Sequence, residues 1–295
     1  LLGILPIDKP VGITSHDVVN RIRRRFGIKR VGHSGTLDPL ATGVLVLAVG
    51  PATRFLQYLP LEPKVYLAGI QFGVTTDTYD REGAQTASGA VPADLIGALA
   101  EIRLKFLGLV EQIPPMHSAV KFQGRPLYRY AREGRVVARD PRIVHIAELD
   151  IQPISESEVL ARVVCSGGTY IRTLANDLGA ALGCGAHLSS LQRTGVGKFH
   201  LDGCIPLDQA TPEHLIPLAE ALPPMPLVHL DQENTRHLRE GQSVRIDCTP
   251  SNNLVALVEP SGAVFSVARL LGNMVQPECV IPGPTLNDAS IQDPV

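Results

Sequence analysis

Residues 32–43 read Gly32-His33-Ser34-Gly35-Thr36-Leu37-Asp38-Pro39-Leu40-Ala41-Thr42-Gly43, and they join a basic helix to an apolar strand. Asp38 stands directly before a proline, which biases its backbone toward an extended conformation. Gly32, Gly35 and Gly43 permit tight turns and a close approach of the backbone to a ligand. A carboxylate held on such a loop beside a rigid strand is well placed to act as nucleophile or base. The same residues also suit an Asp-Pro turn that bonds only its own backbone. On spacing alone that plainer reading is the better one.

Working outward, the upstream segment carries helix signals. Thr14 or Ser15 can cap a helix that runs to Phe26, with Asp17 in its first turn and Gly27 as the stop. Val18, Val19, Ile22 and Phe26 fall on one face, leaving Arg21, Arg24 and Arg25 toward solvent. Downstream, Val44–Val49 has strand length, and Val65–Val74 reads as another strand. Residues 169–182 place Ile171, Leu174, Ala175, Leu178, Ala181 and Leu182 on one helical face, and Gly183 ends that helix. The alternation is an α+β pattern, not the regular βα repetition of a barrel. Pro217 to Pro226 marks the clearest boundary. Beyond it, Leu254–Val258 and Ala263–Val267 flank the turn Glu259-Pro260-Ser261-Gly262, which predicts a hairpin within a small β-rich module.

Composition sets outer limits. The 295 residues are 44% hydrophobic, too apolar for wholesale disorder, and suggest one large domain or two. Val44–Val49 is the longest apolar run and cannot span a bilayer, which needs about 20 residues. No signal-peptide pattern opens the sequence, so a cytoplasmic protein is expected. Cys165, Cys184, Cys204, Cys248 and Cys279 are odd in number and form no CxxC pair, which fits reduced thiols better than a disulfide framework or a zinc knuckle. The net charge of -2 conceals an asymmetry. Residues 1–200 hold 23 basic against 17 acidic side chains, whereas residues 201–295 hold 4 against 12. A polyanion-binding surface on the first part would therefore be invisible in the overall charge. Two basic runs supply it: Arg21, Arg23, Arg24, Arg25, Lys29 and Arg30, then Lys121, Arg125, Arg129, Arg132, Arg135, Arg139 and Arg142. Arg125, Arg129 and Arg132 have the spacing of one helical face, and Tyr128 and Tyr130 between them can stack on bases or pack inward.

The residue order of 32–43 tips the balance toward a catalytic Asp38. It resembles the catalytic motif of the TruB family, the tRNA pseudouridine-55 synthases. Further blocks follow in the family's order over residues 3–200. They are Leu5-Pro6-Ile7-Asp8-Lys9-Pro10 with Gly12; Lys64-Val65-Tyr66 with Gly73, Thr76-Asp77-Thr78-Tyr79-Asp80 and Gly83; and Gln112-Ile113-Pro114-Pro115 with Ser118-Ala119, Lys121, Gly124 and Leu127-Tyr128. The last comprises Gly168-Thr169-Tyr170-Ile171-Arg172-Thr173 with Asp177-Leu178-Gly179, Gly185-Ala186-His187-Leu188 and Leu191-Gln192-Arg193-Thr194. Any one block is weak; the ordered set is not a chance match.

The resemblance implies an α+β pseudouridine synthase core over 1–222, with a mixed β-sheet flanked by helices and an RNA-binding insertion at about 117–146. A small β-rich PUA-like domain over 227–282 and a loose tail over 283–295 complete the chain. It implies that Asp38 is the catalytic aspartate, that Arg172 pairs with it and holds it ionised, that Tyr66 stacks on a flipped uracil, and that Leu191 packs beneath the base. Lys9, His33, Tyr170, Lys121, Arg125, Arg129 and Arg132 are the expected substrate-binding residues. The implied substrate is tRNA, through its T-arm. No cofactor, no metal and no obligatory protein partner are required, and a monomer is expected. Asp77, Asp80 and Glu82 match no complete calcium loop and read as a hydrogen-bonded turn. His117 departs from the family, which typically has tyrosine there. Two other readings remain: a non-catalytic RNA-binding or RNA-folding protein on the same scaffold, and a relative acting within a guide-RNA complex.

Overall fold

A computed structural model describes residues 1–246 and 253–283. Cys248 and the tail beyond Gly283 fall outside them. Among the described residues no helix is long and apolar enough to cross a membrane. The main sheet runs β14 (Ile205–Pro206), β1 (Gly3–Lys9), β3 (Ala41–Val49), β12 (Ala186–Val196), β4 (Lys64–Phe72), β11 (Glu158–Cys165), β10 (Arg142–Pro153), β7 (Gly108–Gln112). Two short strands, β2 (Val31–His33) and β13 (Phe199–His200), pair with β3 and β12 at its margin. The β1–β14 and β3–β12 pairs are parallel and the rest antiparallel, giving a mixed sheet.

β3 shows why its sequence is a near-continuous apolar run. Leu45, Leu47 and Val49 face a core shared with α1 (Ser15–Phe26), while Val44, Val46 and Ala48 face a second core on the opposite side. A strand covered on both faces needs apolar residues at every position. α1 begins and ends as its sequence dictates. Thr14 and Asp17 form a reciprocal capping box, and Gly27 adopts φ 64° as a left-handed cap. On the far half of the sheet, α2 (Leu95–Ile102) and α4 (Ile171–Ala181) cover Ala68, Ile70, Phe72 and Val163 with Leu95, Leu99, Leu174 and Leu178.

Two excursions leave the sheet. One carries the hairpin β5 (Val74–Thr76) and β6 (Gln85–Ser88). The other, between β7 and β10, carries the two-residue strands β8 (Lys121–Phe122) and β9 (Arg125–Pro126), then α3 (Leu127–Arg132). β10 starts at Arg142 and pairs with β7 through Ile146, so residues 142–146 belong to the sheet and not to the insertion expected to include them.

After the short helix α5 (Leu218–Ala221), a second, five-stranded sheet follows: β15 (Leu227–His229), β17 (Leu254–Val258), β18 (Val264–Leu271), β19 (Met274–Val280), β16 (Val244–Arg245), with α6 (Gln232–Arg239) beside it. The expected hairpin is the β17–β18 pair. This module is fused to the first domain through a shared core. Ala256, Val258, Val264, Val267 and Cys279 pack with Val44, Val46, Ala52 and Phe55. Arg54 donates to the Val280 carbonyl at 2.8 Å, and Tyr58 donates to Glu278 at 3.2 Å. Burial and the Glu278 carboxylate push the Tyr58 phenol up to about 12.

Candidate active site

The first part of the chain gathers its chemistry in one cleft of about 290 Å³, lined among others by Asp38, Tyr66, Tyr170, Arg172 and Leu191. That volume lies at the small end of sites that hold one small ligand, roughly 300–1,000 Å³. The four residues expected to be catalytic, and Tyr170, thus share a cavity although up to 153 positions separate Asp38 and Leu191 in the chain.

Asp38 sits on the loop between β2 and β3. Arg172, in the first turn of α4, reaches it with Nε at 2.9 Å from Oδ2. The guanidinium is only 5% exposed, and its other donors are also engaged. Nη1 donates to the Thr78 carbonyl at 3.0 Å and lies 3.4 Å from Asp80 Oδ2, and Nη2 donates to the His117 carbonyl at 2.7 Å. Arg172 is therefore clamped by the Asp77–Glu82 turn and by the root of the insertion, and presents Nε to Asp38 in one orientation. The turn is internally bonded as its sequence suggests: Asp80 accepts from Thr78 Oγ1 at 2.6 Å and from the Glu82 amide at 3.0 Å, and Asp77 accepts from the Ala84 amide at 2.9 Å. Sequence reasoning misses Asp80 as the second carboxylate of this network. Its signal is its place three residues before Gly83, in a turn whose carboxylates suggest a metal before they suggest a partner for an arginine.

Arg172 does not simply hold Asp38 ionised. Burial beneath the cleft walls raises the Asp38 carboxyl above the ordinary carboxylate range; Arg172 opposes this, Asp80 adds to it through repulsion, and Lys9 opposes it. The carboxyl still faces the cleft, with 36% of the side chain exposed.

Lys9 takes a different position from the one expected. It is wholly buried, and Nζ donates to the carbonyls of Ala41 at 2.6 Å, Pro10 at 2.9 Å and Pro39 at 3.4 Å. Lys9 thereby ties the Asp38-Pro39-Leu40 corner to β1 and makes no surface contact. Burial lowers its ammonium to about 8. Arg193, on β12, does the same from the other side: Nε donates to the Val44 carbonyl at 2.8 Å and Nη2 to the Gly35 carbonyl at 3.2 Å. Gly43 lets β3 and β12 approach here. Its φ is 98°, and a Cβ would lie 2.2 Å from the Arg193 carbonyl oxygen. Burial raises the Tyr66 phenol, and the charge of the neighbouring Arg193 guanidinium partly lowers it. Ser15 completes the loop, accepting from the Leu37 amide at 2.8 Å.

Tyr170 is oriented by a paired contact: its amide donates to Gln112 Oε1 at 3.0 Å, and Gln112 Nε2 donates to its carbonyl at 3.3 Å. His33 lies outside the cleft lining, with a buried Nδ1 that has no partner among the described residues.

The basic insertion corrects the helical-face reading. α3 begins at Leu127, so Arg125 stands on β9 and not on the helix. Arg125 pairs with Glu133 and lies 4.9 Å from the Tyr130 ring centroid, with Arg135 at 5.3 Å from that ring. Tyr130 packs inward, 7% exposed and edge-on to Phe122. Arg132 stacks on Tyr128 at 5.4 Å, while Lys121 and Arg129 are exposed and make no ion pair among the described residues.

Residues 23–171 match the family model described as TruB family pseudouridylate synthase (N terminal domain), and residues 172–217 match the tRNA pseudouridylate synthase B C-terminal domain. The chain is 42% identical over 278 residues to the tRNA pseudouridine synthase B of Syntrophotalea carbinolica, covering 89% of this chain and 90% of that protein. It is 42% identical over 286 residues to that of Thiobacillus denitrificans, covering 95% of each. Among solved structures, a chain of a Cbf5-Nop10-Gar1 complex is similar over 95% of this chain and 85% of its own, with a TM-score of 0.63 and 28% identity. A chain of an archaeal box H/ACA sRNP Nop10-Cbf5 complex gives a TM-score of 0.66 at 25% identity, over 95% and 86%.

Proposed function

The chain belongs to the TruB family of pseudouridylate synthases, and we propose that it converts uridine 55 in the T loop of tRNA to pseudouridine. The observation that carries this reading is the Asp38–Arg172 contact of 2.9 Å at a cleft shared with Tyr66 and Leu191. The reaction breaks the bond between uracil N1 and ribose C1′, turns the base, and rejoins it through C5. No atoms or electrons are gained. The target must leave its stack to reach the cleft. Asp38, facing the cleft as a carboxylate, stabilises positive charge developing at C1′, as carboxylates do in glycoside hydrolysis. Tyr66 and Leu191 sandwich the free uracil, and the enclosed walls keep water from C1′. Arg172 fixes the Asp38 geometry. Tyr170, Lys121, Arg129 and Arg132 meet the RNA, while Lys9 acts through the loop it holds.

The reading extends to a monomer working in the cytoplasm without a protein partner. In its support, identity to the tRNA pseudouridine synthase B relatives is 42%, against 25–28% to the chains from the Cbf5 complexes. The C-terminal module serves as a PUA-like domain, carrying an acidic surplus that limits its phosphate contacts. Purified protein is expected to place pseudouridine at position 55 of a bare tRNA transcript. Asp38→Asn should retain tRNA binding and release no tritium from C5-labelled uridine. Normal turnover by that variant, or modification elsewhere with none at 55, overturns the proposal.

A further inference from the structure

Lys64 opens β4 two residues before Tyr66, and it lines the same cleft. It is only partly exposed, yet among the described residues its ammonium makes no ion pair and no side-chain hydrogen bond. Cations removed from water are ordinarily paired, because desolvation disfavours the charged form. Its surroundings deepen the discrepancy. A Cβ built on Gly35 would lie 3.6 Å from Lys64 Nζ and 3.8 Å from Arg193 Nη1, so two cations converge on one turn. The neighbouring acidic side chain, Glu62, accepts from the Gly167 amide at 2.8 Å. Burial and the repulsion of Arg193 both lower the Lys64 ammonium, and Cys165 and Glu62 oppose them without restoring it.

The cleft is thus polarised. Its lining joins one carboxylate, Asp38, held by Arg172, to the cations Lys64 and Arg193 that converge beside Gly35. A nucleotide has the complementary polarity, since positive charge develops at its C1′ while its flanking phosphodiesters are anionic. We propose that Lys64 binds a phosphate oxygen flanking the flipped uridine, and that this contact seats the ribose with C1′ toward Asp38. The assignment rests on the pseudouridine synthase reading, and it makes Lys64 a substrate-binding residue to which the family resemblance gives no role. Gly35 flanks the ammonium without a side chain, which leaves space for a phosphate to approach on that side, whereas at Gly167 the Glu62 carboxylate holds the corresponding space, 2.7 Å from where a Cβ would stand.

The test uses the full-length protein and a T-arm RNA, with single-turnover rates and affinities measured across salt. Lys64→Met is expected to weaken RNA binding roughly tenfold and to lower the slope of log affinity against log salt by about one. Lys64→Arg should recover most of the affinity, because charge rather than shape is required. A neutral methylphosphonate, placed in turn 5′ and 3′ of the target uridine, identifies the contact. At one of these positions the wild-type protein should lose affinity and Lys64→Met should lose no more. Full additivity at both positions, or an unchanged salt slope, overturns the proposal. Failure of the wild-type protein to modify the unaltered RNA would instead sink the reading of its function, so the two failures are distinguishable.

Discussion

The Asp38 loop and the Lys121–Arg132 insertion are both rich in charge, yet they are built on opposite principles. In the first, every buried cation is held by backbone: Lys9 by three carbonyls, Arg193 by two, Arg172 by two carbonyls and two carboxylates. Those contacts are desolvated, so each fixes geometry strongly. In the second, the charges satisfy one another at the surface, through the Arg125–Glu133 pair and the guanidinia stacked on Tyr128 and Tyr130. Water screens such contacts, and they can be exchanged for an RNA phosphate at little loss. A rigid reacting centre and an adaptable gripping surface therefore differ in what holds the charge, not in how much charge there is.

The sharpest way to break that contrast is to remove the cation shared by two carboxylates. Arg172→Met leaves Asp38 and Asp80 facing each other without compensation. Turnover should fall roughly 10²–10³-fold, as for loss of a preorganised electrostatic group. Stability should fall by about 3–5 kcal/mol, the scale for breaking a buried pair on one side. Single-turnover kinetics and chemical denaturation check the two arms. Next in size, Gly43→Ala must push a Cβ against the Arg193 carbonyl at positive φ. It is expected to cost about 1–3 kcal/mol in denaturant unfolding and to slow turnover by shifting the Asp38 loop.

A pH series sharpens the electrostatics. Asp38 functions ionised, and its carboxyl is raised, so activity should fall on acidification at a higher pH than an ordinary aspartate would give. Asp80→Asn removes a repulsion that raises Asp38, so the acidic limb moves to lower pH even though the maximal rate drops with the loosened Arg172. Lys9→Met removes an attraction that lowers Asp38, so its limb moves to higher pH. Opposite movements are the expected outcome in rate profiles; movement in one direction for both would show that loop disorder, not charge, governs them.

Much of this architecture is legible in the amino-acid sequence. The Thr14 cap and Gly27 stop bound α1 within a residue, because capping is a local interaction encoded in neighbouring side chains. The apolar run of β3 signals a strand, although what completes the core on its second face is only partly legible: Ala52 and Phe55 follow it closely, but Ala256, Val258 and Val267 of the C-terminal module lie more than 200 positions away. Likewise, the resemblance names Asp38, Tyr66, Arg172 and Leu191, which the fold brings together. It does not show that Lys9 is spent on carbonyls, since nothing in the stretch Ile7-Asp8-Lys9-Pro10 says whether a lysine points to solvent or beneath a loop. The helical spacing of Arg125, Arg129 and Arg132 misleads because Pro126 caps a helix that begins at Leu127, two residues beyond Arg125.

The smallest expected effects belong to the insertion, and they test its half of the contrast. Arg129 is exposed and makes no ion pair among the described residues, so Arg129→Gln should leave the thermal midpoint unchanged, weaken tRNA binding a fewfold and reduce the salt slope by about one. Glu133→Gln should do the reverse. It frees Arg125 and Arg135 from a carboxylate that competes with phosphate, so affinity rises slightly and the salt slope steepens. Filter binding across salt, with thermal unfolding alongside, separates the cases. If Glu133→Gln instead unfolds the insertion and weakens binding, the surface network is as geometrically demanding as the buried one, and the division between a fixed centre and an exchangeable grip does not hold.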